Sequence, residues 1–136
     1  MKRMLITAVA VFITGFLFAF LVHGVLLKNE YAALGPGLLR PDAEMKMGIM
    51  SLGYAIWALG FAWLYSKGVE AKDWVGQGLR FGLALACVWI VPAYLGNYAT
   101  MPFPLPLILK GLAGDTVNAL ACGLVAAAIN KGPARA

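Results

Sequence analysis

Four apolar runs, each about twenty residues long, constrain this chain more than any other feature, because that is the length a helix needs to cross a bilayer. At roughly 1.5 Å per residue, each run covers the about 30 Å of a hydrocarbon core. They place spans at about 4–27, 45–66, 75–98 and 106–129. The connecting segments carry most of the charge: the polar loop "KNEYAALGPGLLRPDAEMK", the short "SKGVEAKD", and a proline-rich but uncharged "MPFPLPL". The expected fold is therefore all-α, a transmembrane four-helix bundle forming one integral membrane domain over 1–136. Composition agrees, with 62% hydrophobic and 12% charged residues against about half and about a quarter in a soluble domain. A second, soluble domain is not expected within these residues.

The N-terminus opens with Lys2 and Arg3 like a signal peptide, but its apolar run from Met4 to Val22 is too long for one and no small-x-small cleavage site follows. A retained first span is expected. Lys and Arg in the short flanks set the orientation. Lys2, Arg3, Lys67, Lys72, Arg80, Lys131 and Arg135 fall on one side, Lys28, Arg40, Lys46 and Lys110 on the other. Seven against four puts both termini in the cytoplasm. The net charge of +5 is read as topological, since no Lys/Arg cluster with interleaved aromatics marks a nucleic-acid surface.

Three segments carry local expectations. The first loop, with Tyr31, Leu34, Leu38 and Leu39, is expected to lie along the membrane surface, and Asp42 and Glu44 to sit at the start of the second helix, where acids suit the dipole. Alternate prolines in "MPFPLPL" predict an extended turn. Pro92 predicts a kink in the third span.

The fourth run holds the chain's most unusual residue. Gly111, Asp115, Asn118 and Cys122 are spaced by four, three and four, so they share one helix face, continued by Val125 and Ala126. A stripe of small and polar residues marks the side a membrane helix turns to its neighbours. A carboxylate at mid-membrane costs about 3 kcal/mol or more, so it is normally paired, protonated or hydrated. Its depth depends on where the helix begins: roughly 13 Å below the surface if at Pro106, about 7 Å if Lys110 marks the boundary. His23, Ser51, Tyr54, Asn97 and Tyr98 fall at a similar level, whereas Thr7, Gln77 and Arg80 lie near the inner margin. That asymmetry predicts an outward polar pocket or a hydrogen-bonded plug built from Asp115, Asn118, His23, Tyr54, Asn97 and Tyr98. Asp115 bonded to such neighbours either locks the helices together or serves a ligand, ion or proton.

Helix packing is expected at Gly53 and Gly60, at Gly78 and Gly82 (a G-x-x-x-G), and at Gly111. The four tryptophans are read as interfacial belt and core. Cys87 and Cys122 lie in apolar runs with no metal or redox spacing, and are read as inert thiols. A single histidine makes a poor metal site, and no nucleophile, base or paired-carboxylate set appears. Neither an enzyme nor a cofactor is expected.

The stretches "EYAALGPGLLRPDAEM", "GQGLRFGLALA" and "NYATMPFPLPLILKGLAGDTVNALACGLV" together resemble a group of small bacterial four-span membrane proteins of uncharacterised function. The resemblance spans nearly the whole chain and implies a bacterial inner-membrane location, but supplies no catalytic residues. Small multidrug transporters are similar in having four spans, yet they rely on an acid in the first span, and this first span has none. The expected role is an accessory or structural subunit that packs with partner membrane proteins or with itself. The alternative is a small transporter, channel or binder of a proton or ligand at Asp115.

Overall fold

A computed structural model of the chain describes residues 1–70 and 73–131; Lys72 and Arg135, both counted in the charge balance, lie outside them. Among the described residues there is no strand, and four helices are long and apolar enough to cross a membrane: α1, Lys2–Leu26; α3, Met47–Gly68; α4, Trp74–Thr100; and α5, Leu105–Asn130. A short helix α2, Lys28–Ala32, follows α1.

The connections differ from expectation where backbone chemistry overrides composition. Asp42 and Glu44 form a separate 3₁₀ turn, and α3 begins after Lys46 with no acid in its first turn. Pro41, with ψ of 150°, sets the chain extended before that turn, and Met45, with ψ of 126°, separates the turn from the helix. The extended turn expected over "MPFPLPL" stops at Pro104, because Pro106 sits in the first turn of α5, where a missing N–H removes no helical bond. Pro92 is accommodated by a π-helical turn over Ala86–Ile90 immediately before it, a wider winding that absorbs the lost i to i−4 bond. The N-terminus of α4 is capped by Asp73, whose Oδ2 accepts the Gly76 N–H at 2.8 Å.

The first and last long helices form the centre of the molecule. α1 packs on α5 and α3, and α5 packs on α1 and α4. The α4–α5 crossing is close because Gly78 and Gly82 meet Ala119 and Gly123 backbone to backbone: a Cβ at Gly82 would stand 2.5 Å from the Ala119 carbonyl oxygen and 2.8 Å from the Leu120 Cα. Gly53 and Gly60 do the opposite. Nothing lies within 4 Å of a Cβ built on either, so neither glycine makes a close helix contact among the described residues. Tyr65, Val11, Cys122 and Ala126 are fully enclosed in the main core. A second cluster of Val22, Leu27 and Leu107 gathers Tyr31, Leu34 and Phe103, which fastens the first loop and the chain before α5 onto the end of the helices.

Most of each helix nevertheless faces outward. Within the most apolar stretch of α3 only 17% is buried, and even for α5 the share is 33%.

Candidate functional site

Two glycines beside Asp115 create the space in which its site is assembled. A Cβ at Gly114 would meet Val22 Cγ1 at 2.6 Å, so glycine there lets α1 lie directly on α5. A Cβ at Gly111 would meet the Tyr94 hydroxyl at 2.6 Å, so glycine one turn above the carboxylate admits the tyrosine. α1 changes to π-helical winding over Phe20–Leu26, and His23 lies within that turn. Such turns recur at functional sites because the extra residue re-aims the side chains around it.

The result is a continuous hydrogen-bonded chain across four elements. Tyr31 of α2 meets His23 Nδ1 at 2.8 Å, His23 Nε2 meets Asp115 Oδ1 at 3.1 Å, and the Tyr94 hydroxyl of α4 donates to Asp115 Oδ2 at 2.7 Å. With one proton on the imidazole and Asp115 ionised, every atom is satisfied when Nε2–H donates to the carboxylate and Nδ1 accepts from Tyr31. A second proton converts Nδ1 into a donor and reverses the Tyr31 bond. Burial, then the Asp115 charge, pushes the Tyr31 hydroxyl above its ordinary value, which keeps its proton in place as a donor. The His23 and Asp115 side chains retain 29% and 24% of their exposure, so the chain is reachable from outside. Above it, Lys110 Nζ pairs with Glu30 Oε1 at 2.5 Å; this hydrogen bond is the main cause holding the Glu30 carboxyl below its usual range.

Asn118 belongs to a different contact. Its Nδ2 donates to the Gly15 carbonyl of α1 at 3.1 Å, while Cys122 Sγ donates to its Oδ1 at 3.5 Å. Farther along the same two helices, Asn130 Nδ2 donates to Thr7 Oγ1 at 2.9 Å. These amide bonds clamp α1 to α5 along the stripe predicted from spacing. Tyr54 lies near the Asp115 site, with its ring edge-on to Phe16 at 5.5 Å. It lines a groove of about 250 Å³ with Trp57, Trp89, Asp115 and Asn118, so the groove brings together Tyr54, Asp115 and Asn118 of the expected pocket.

Asn97 and Tyr98 are exposed on α4 and stand outside the cluster; Tyr94, one turn earlier, takes the place expected of them. Tyr94, Asn97 and Tyr98 are spaced as one helix face, so the difference is one of level along the helix: Tyr94, one turn nearer the middle, is the residue that meets Asp115. Tyr31 and Asn130 also lie outside what sequence spacing indicated. The contrast of Tyr31 with the charged residues Lys28 and Glu30 around it was the one signal for the former.

Among the described residues, no three His, Cys, Asp or Glu side chains converge as metal ligands would. Comparison with family models, with curated proteins and with solved structures finds no match to this chain. The arrangement can hold four elements together and present a carboxylate to the groove beside Tyr54.

Proposed function

We infer that this chain is a multi-pass protein of a bacterial inner membrane, with both ends in the cytoplasm, that serves as an accessory subunit. Its role is to pack an outward helix face against a partner membrane protein or a second copy. The observation that carries this reading is the outer face of α3. Ile49, Gly53, Ile56 and Gly60 are spaced by four, three and four and so fall in one stripe, with the isoleucines 65% and 63% exposed and both glycines opening onto empty space. Elsewhere, at Gly78, Gly82 and Gly123, the chain fills the room its glycines leave with its own backbone. Small residues between branched ones are how helices approach closely in lipid, where hydrophobicity alone does not drive them together.

Asp115 then has a structural part. Its bonds to His23 and Tyr94, with Tyr31 beyond, join α1, α2, α4 and α5 into a stable platform for that face. The resemblance to small bacterial four-span proteins and the Lys/Arg balance support the location and the orientation.

The test is crosslinking in native membranes. Ile56→Cys, in a chain whose own cysteines are replaced by alanine, is expected to give a product the size of two copies or of the chain plus a partner. A band of the single chain alone, at every crosslinker length, would overturn the reading.

A further inference from the structure

The groove beside Tyr54 exists because α3 and α4 are held together at one end and part toward the other. Phe81 of α4 packs edge-on against Phe61 and Tyr65 of α3, each at 5.0 Å between ring centroids. Nearer Asp115 the two helices leave a gap walled by Tyr54, Trp57 and Trp89, and Gly53 contributes no side chain to close it. Asp115, Asn118 and Ala119 of α5 complete the lining.

The carboxylate there accepts bonds from Tyr94 and His23, but the tyrosine is neutral, and so is the imidazole when it carries one proton. The lysine on the same helix, Lys110, is occupied by Glu30. A negative charge is thus presented to an aromatic, mainly apolar recess without a formal cation beside it, and an uncompensated charge in such surroundings favours an incoming positive one. The chemistry of the walls selects among cations. Hard metal ions need several oxygen ligands, and the groove offers one carboxylate beside the Asn118 amide, whose oxygen already accepts from Cys122. Indole and phenol faces instead suit a weakly hydrated organic cation. The open side runs onto an apolar surface where Val88 and Trp89 are 75% and 66% exposed, which suits an alkyl chain.

We propose that the groove between α3 and α4 is a binding site for an amphiphilic alkylammonium. The head rests against Asp115 among Tyr54, Trp57 and Trp89, and the tail leaves along the outer surface of α4. Gly53 stands at the edge shared by the groove and the stripe of the subunit reading; Ile49, Ile56 and Gly60 of that stripe do not line the groove, and Asp115 and Trp89, varied below, are not in the stripe.

Calorimetric titration of decyltrimethylammonium into the full chain in lipid nanodiscs tests it, with empty nanodiscs subtracted and the amphiphile kept well below the concentration that disrupts them. Saturable binding is expected for this cation and none for decyl sulfate, which has the same chain and the opposite charge. Asp115→Asn retains groups able to bond His23 and Tyr94 but removes the charge, and is expected to weaken binding about tenfold or more. Trp89→Leu, a change at a residue 66% exposed, keeps the groove apolar and removes a π face, with an expected loss of about threefold. Heat no greater than that of empty nanodiscs, equal binding of decyl sulfate, or unchanged affinity in either variant would overturn the proposal. Should Asp115→Asn fail to fold, Trp89→Leu and the charge comparison decide it alone.

Discussion

Tyr94 shows how much a single hydroxyl can contribute when it donates to a carboxylate away from bulk water. Hydrogen bonds to charged groups contribute about 1.5–3 kcal/mol, more than those between neutral ones. Tyr94→Phe keeps the ring beside Gly111 and removes the donor to Asp115, so it is expected to lower stability by about 2 kcal/mol. Asn97→Ala, on the exposed face, is expected to leave stability within about 0.5 kcal/mol of the original. Reversible unfolding in mixed micelles measures both, and equal effects would contradict the placement of Tyr94. At this scale the sequence was partly readable. Asp115 and His23 stood out because ionisable groups are rare in apolar helices, and the spacing of Gly111, Asp115, Asn118 and Cys122 correctly put them on the face turned to the other helices. Their partners were not readable, because Tyr94 and Tyr98 differ by one helical turn and nothing in composition says which one faces α5. Tyr31 comes from a loop whose docking depends on apolar contacts made by Leu27 and Leu34 with the helix ends.

Among the elements, α4 and α5 are joined most tightly, and the tightness is carried by backbone rather than side chains. Gly82→Leu would drive a side chain into the Ala119 carbonyl and the Leu120 Cα, atoms that move only if the whole helix does. The expected loss is about 2–3 kcal/mol, at the upper end of overpacking effects, whereas Gly60→Ala, with open space around it, is expected to leave the monomer's stability unchanged. Thermal unfolding of both variants checks the pair. The G-x-x-x-G at Gly78 and Gly82 was legible from sequence, but Gly53 and Gly60 looked equally like internal packing positions. A glycine marks the possibility of close approach and not its direction. The four long helices were legible because an apolar run of such length dominates any local preference. The π turns were not, since a change from i−4 to i−5 bonding has no residue signature of its own beyond the proline that follows one of them.

Taken whole, the molecule has a modest interior and an extensive apolar exterior. With Val88, Trp89, Ile49 and Ile56 all more than 60% exposed, the surface far exceeds the apolar patches that water-soluble monomers present. Alkaline carbonate washing of membranes from expressing cells is therefore expected to leave the chain in the pellet; release into the supernatant would contradict its reading as an integral protein. The arrangement of helices has a further consequence for biosynthesis. α1 leaves the ribosome well before α5, since 92 positions separate His23 from Asp115. Helices made in between cannot complete their junction, so the imidazole must wait without its counterpart, still untranslated, until α5 arrives and closes the structure around it.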